Sequence, residues 1–252
     1  MKKMFIILCS FALSFTNARL EAEPTAQEII SLAIKAQCDK PERFAQYRNQ
    51  IQTLKGVIYS QMKELPTDRT LTASWPDRMR LDTTMEFPEG KKSNVIVLKD
   101  DQGWTSSPSM VPEALTFNQM DEVLGEAHGR YVATLIPLSE EGFTLTKMKD
   151  ALIENEDAWV VKVTKKFKPD VLLSINKKTH FLMRASYKST VEGTPVRKEM
   201  RFSAYKDYNG IQFASKVIDL QNGNKAASYT LVKIEALPKL PEELFAKPND
   251  KK

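Results

Sequence analysis

In Arg78-Met79-Arg80-Leu81-Asp82-Thr83-Thr84-Met85-Glu86-Phe87, each odd-numbered residue is apolar or threonine and each even-numbered one is polar or charged. Side chains alternate across a β-strand with a period of two, so this stretch has one buried face and one wet face. The same alternation recurs from Lys55 to Leu237, at 56–62, 69–74, 94–99, 103–107, 143–149, 159–166, 171–176, 182–190, 196–205, 212–220 and 226–236. Glu89-Gly90, Asn209-Gly210 and Asn222-Gly223-Asn224 lie between the stretches and supply residues that tolerate positive φ. Strands joined so tightly pair antiparallel with their neighbours.

Helices are expected at three places. Thr25 and Glu28 form a capping box that starts a helix near Ala26 and carries it to about Gln37. A second start at Asp39-Lys40-Pro41-Glu42 places Phe44, Tyr47 and Ile51 at helical spacing. The third begins at the Thr116 and Gln119 capping box and ends before Pro137, with Phe117, Met120, Leu124, Tyr131 and Leu135 on one side and Val123 and Ala127 beside them. Gly125 and Gly129 inside it each cost about 1 kcal/mol relative to alanine, which predicts a bend or a split.

Lys2 and Lys3 ahead of an apolar run from Met4 to Phe15 read as an export signal, too short to span a bilayer. Cleavage is expected after Ala18, with Ala22 as the alternative, which leaves residues 19–248 as one domain and 249–252 as a frayed tail. Removing the leader takes away Cys9, so Cys38 has no disulfide partner, and lowers the formal charge from +5 to +3. That charge is too small and too mixed in sign to suggest nucleic acid, and Lys162, Lys165, Lys166 and Lys168 read as an outer edge that resists aggregation.

His128 and His180 are too far apart to offer paired metal-ligand spacing, and the sequence contains no nucleophile elbow, Walker or dinucleotide-binding pattern. Neither catalysis, a metal nor a cofactor is expected. The amphipathic third helix must cover something apolar, and a curved antiparallel sheet offers its concave face. Periodicity alone leaves two outcomes open: a space filled by the protein's own side chains, or an apolar pocket suited to acyl chains. The candidate lining is Met79, Leu81 and Met85; Trp159, Val161 and Val163; Met200 and Phe202; and, from the covering helix, Phe117, Met120, Leu124, Tyr131 and Leu135.

Gly142 to Thr146, Asp157 to Val163 with Asp170 to Lys178, Asp207 to Phe213 and Leu244 to Pro248, taken with the order of elements, resemble the LolA-like outer-membrane lipoprotein-sorting superfamily, nearest an exported branch of it. The resemblance implies an α+β fold: a strongly curved antiparallel half-barrel of about eleven strands with N-terminal helices and a helical lid, here Thr116 to Leu135. It further implies a periplasmic carrier of lipid or lipoprotein acyl chains, with a membrane-bound donor or acceptor as a second partner. An envelope sensor or protein-interaction module on the same scaffold is the alternative.

Overall fold

The computed structural model describes residues 23–248 except 61, 62 and 109, so the predicted leader and the 249–252 tail lie outside the described residues. Helix α1 (Ala26–Gln37) starts at the expected capping box, with the Thr25 backbone N–H donating to Glu28 Oε2 at 2.7 Å. Helix α2 (Pro41–Ala45) is only five residues long and passes through a 3-10 turn, Gln46–Arg48, into the sheet. Ile51 is therefore in a strand and not at a helical position.

The sheet comprises β1 (Asn49–Ser60), β2 (Lys63–Ser74), β3 (Arg78–Phe87), β4 (Gly90–Lys99), β5 (Gln102–Ser106), β6 (Glu113–Ala114), β7 (Phe143–Lys147), β8 (Ala151–Ile153), β9 (Glu156–Lys165), β10 (Val171–Asn176), β11 (Leu182–Val191), β12 (Thr194–Tyr208), β13 (Ile211–Gln221) and β14 (Asn224–Ala236). Fourteen strands replace the expected eleven or so. Two of the additions, β6 and β8, have two and three residues, too short for any alternation to register.

All pairings are antiparallel, in the order β6-β5-β4-β3-β2-β1-β14-β13-β12-β11-β10-β9-β7, with β8 on β9. The first and last strands thus meet in the middle, Gln50 opposite Ala236 and Ile58 opposite Ala227. The outermost strands of the path, β6 and β7, are the two between which the chain runs through α3 (Phe117–Ala133). The sheet does not close on itself, and one helix links its two ends.

Register aligns one inner face across the strands. Gln50, Ala73 and Met79 form one row, Gln52, Leu71 and Leu81 the next, then Leu54, Arg69 and Thr83. On the other half, Val161, Leu173, Ala185 and Met200 form a row, all of them buried. Burying such rows drives the fold at about 25 cal/mol per Å² of apolar surface.

Helix α3 continues through both glycines, so the helix does not split there. The glycines are there for contact: Gly129 presents bare backbone to the Tyr187 ring on β11, and Gly125 faces Ser189. A Cβ at Gly129 would lie inside the Tyr187 ring's contact surface, whereas one at Gly125 would sit 3.2 Å from the movable Ser189 Oγ. Gly129→Ala is expected to destabilise the protein by about 1–3 kcal/mol through overpacking. Gly125→Ala should be near neutral, because the helix-propensity gain offsets the tighter contact. Thermal melts of the two variants check this; equal Tm values would contradict it.

Candidate functional site

Between the C-terminal half of α3 and the inner face of the sheet lies a mostly apolar cavity of about 110 Å³. Leu54, Leu71, Leu81, Met200, Phe202, Phe213, Val217 and Leu231 make its sheet wall; Ala133, Thr134 and Ile136 make its roof. Tyr47, Trp75, Gln50 and Gln37 also line it, as do Arg69, Arg130 and Tyr229. Six residues separate Gln50 from Gly56, which lies opposite Tyr229, so Gln50 and Tyr229 stand about 20 Å apart along the strands.

Polar contacts hold the helix over this cavity along one side. Arg130 donates from Nε to Glu126 Oε1 at 2.8 Å and from a terminal nitrogen to Asp219 Oδ2 on β13 at 3.0 Å. Burial opposes the guanidinium charge, but Asp219 and then Glu126 more than offset it and raise its pKa. Lys198 on β12 pairs with Glu122 at 3.0 Å, and Thr190 donates to Asp121 at 2.6 Å. At the other end Tyr131 stacks on Trp75 with centroids 5.8 Å apart, and burial pushes its hydroxyl up to about 12. His128 is buried, parallel to Phe143 at 6.4 Å, and burial, then Lys168 and Lys165, push it down to about 4.

Leu81, Met200 and Phe202 are the predicted residues that the structure brings together in the cavity wall. Met79, Val161 and Val163 share the inner face but are enclosed by the protein's own side chains, and Met85 lies half-buried two residues beyond Thr83. Trp159 stacks on His180 at 5.7 Å, away from the cavity. Tyr131 on the helix and Leu135, which lies two residues past its end at Ala133, are buried in the core, while Met120 and Leu124 are half-buried in its N-terminal half. Phe117 is 88 % exposed and lies outside the cavity. The helix turns a different side to the cavity because Gly125 and Gly129 take the contact with β11, which brings Arg130, Ala133 and Thr134 round.

Sequence reasoning missed Arg69, Gln50 and Trp75 as wall residues. Extending the alternation from Leu54 back through Gln52 to Gln50 would have found one of them; polar side chains on an inner face hid the signal.

Two outcomes follow for this helix. Arg130→Leu strands Asp219 and Glu126 without their cation, which is expected to cost about 1–3 kcal/mol at this partial exposure. It should also speed protease cleavage within residues 117–133; unchanged cleavage would show that the pairs do not hold the helix. For His128, the unfolded imidazole takes its proton near 6.5 and the folded one near 4, so the stability is present above 6.5 and is lost as pH falls toward 4, about 3 kcal/mol in all. Melts from pH 7 to 4.5 should show this loss in the wild type and a shallower one in His128→Phe.

No protein-family model matches the chain, and no curated sequence matches it. Among solved structures, a LolA superfamily protein from Nitrosomonas europaea superposes with a TM-score of 0.57 at 16% identity, over 89% of this chain and 99% of its own. An outer membrane lipoprotein-sorting protein domain from Vibrio parahaemolyticus gives 0.54 at 14% identity, over 88% and 97%. A DUF1329 family protein from Desulfovibrio piger gives 0.53 at 11%, over 89% and 98%. The open antiparallel sheet with a helix linking its two ends is thus a LolA-like fold.

Proposed function

We propose that the protein is a soluble, exported carrier of lipid or lipoprotein acyl chains, received between α3 and the inner face of the sheet. The observation that carries the reading is an apolar cavity under a helix held along one side by ion pairs and hydrogen bonds that can exchange for water. The LolA-like fold supports it, and among the described residues no helix is long and apolar enough to cross a membrane.

The cavity volume, about 110 Å³, decides how such a carrier works. A cavity of about 150 Å³ admits one benzene-sized molecule, and pockets for larger ligands begin near 300 Å³. An acyl chain therefore enters only when α3 lifts. Lifting α3 breaks the Arg130, Lys198 and Asp121 contacts, and returning both partners of each pair to water offsets much of the attraction that is lost. Burying the chain returns about 25 cal/mol per Å², less the cost of ordering it. Tyr131 on Trp75 and Leu135 in the core favour a hinge near the C-terminal end of α3, where Leu135 has φ of 64°.

Protein prepared from an exporting host is expected to release acyl lipid on solvent extraction, read by mass spectrometry. Val217→Trp, which fills the cavity from β13, should retain at least tenfold less lipid while melting cooperatively. Repeated preparations without lipid, or equal retention by the filled variant, would contradict the carrier reading.

A further inference from the structure

At one end of the cavity the wall carries buried polar atoms that have no partner among the described residues: Gln50 Nε2, Trp75 Nε1 and Gln37 Oε1. These residues are 1%, 3% and 7% exposed, so bulk water does not satisfy them. Gln50 lies opposite Ala73, and the Trp75 backbone N–H donates to Arg48 O, which places both at the α2 end of β1 and β2. Gln50 is held in position, since its Oε1 accepts from Gln52 Nε2 at 3.1 Å and its amide nitrogen is left over. An unsatisfied buried group of this kind costs about 1–3 kcal/mol. Three such groups at one end of the cavity, with the Tyr229 hydroxyl a fourth at the other end, mark a place where a ligand supplies what the protein lacks.

Charge decides what that ligand group is. Arg69 lines the cavity two rows away, with its guanidinium 4.6 Å over the Tyr229 ring, and no carboxylate among the described residues lies within ion-pair distance of it. Its field nevertheless reaches Glu126, while Arg130 is shared by Glu126 and Asp219. Arg130 is neutralised by Glu126 and Asp219, and Arg69 stands two rows of the sheet away from Gln50, so the orphaned donors at the Gln50 and Trp75 end have no cation beside them. An uncharged oxygen acceptor is what the indole N–H and the glutamine amide fit.

We propose that Gln50 and Trp75 receive the carbonyl oxygen of an ester or amide linkage, so that the ligand is an acyl chain bound through its linkage group and not a free hydrocarbon or a fatty carboxylate. This rests on the carrier reading above and adds the substrate class to it. The chain then runs from that end over Leu71, Leu54 and Leu231 toward Tyr229. Gln37 accepts from the N–H of an amide linkage and finds no donor in an ester, which separates the two sources.

The test is displacement of N-phenyl-1-naphthylamine from the whole mature protein by four probes of equal chain length: methyl palmitate, N-methylpalmitamide, palmitate and hexadecane. The ester and the amide are expected to compete about tenfold better than hexadecane and palmitate. Trp75→Phe removes the N–H donor and keeps a smaller aromatic ring facing Tyr131, so it should erase most of that advantage, with hexadecane reporting the effect of the lost ring volume alone. Gln37→Leu should weaken the amide more than the ester. Hexadecane competing as well as the ester, or a Trp75→Phe protein with the same preference, would overturn the linkage proposal and leave the carrier reading standing, with these atoms holding water only. If none of the four probes competes, both readings fall.

Discussion

Where α3 crosses β11, Gly129 leaves out the one side-chain atom that would hold helix and strand apart, and the Tyr187 ring takes that space. The rest of the site follows from this contact. With backbone set against the sheet at Gly129, the helix is rotated so that Arg130 reaches Asp219 on β13 and Ala133 and Thr134 roof the cavity. Tyr131, on the other flank, is brought onto Trp75. A larger residue at 129 would shift every one of these contacts, because a packed interior transmits small displacements.

The sheet gives that helix something to span. Since β1 pairs with β14, the two halves of the chain form one surface, and the connection between the outermost strands has to pass from one end of it to the other. The rows of that surface differ in chemistry. Val161, Leu173, Ala185 and Met200 form a close-packed row, whereas the β1 and β2 rows carry Gln50, Gln52 and Arg69 among leucines. The cavity lies between the mixed β1 and β2 rows and Met200, Phe202 and Val217 on β12 and β13. Ion pairs tie α3 to both strands beneath it, Arg130 to Asp219 on β13 and Glu122 to Lys198 on β12.

Much of this was legible in the sequence. The alternation in residues 78–87 placed Met79, Leu81 and Met85 on one face, and the register agrees; the same holds for Val161 and Val163 and for Met200. Both capping boxes hold, because Thr25 and Thr116 form bonds local to three residues. Two things were hidden. Inward-facing Gln50 and Gln52 break the apolar pattern of β1, so Ile51 read as helical. The side of α3 that meets the sheet is defined by glycines, which a hydrophobic pattern cannot see, so Phe117 was grouped with the buried residues although it is 88 % exposed. Short strands such as Glu113–Ala114 are set by their partner strand and not by their own sequence.

The central claim is that an acyl chain takes the place of α3 against the sheet, and the separation between helix and sheet reports on it directly. Spin labels at Phe117→Cys on the helix and Thr230→Cys on the outer side of β14, both exposed positions, give that distance by pulsed electron resonance with Cys38 replaced by serine. The account predicts one short, narrow distance in the lipid-free protein and a longer one once lipid is bound. A bound lipid with the short distance unchanged would contradict it.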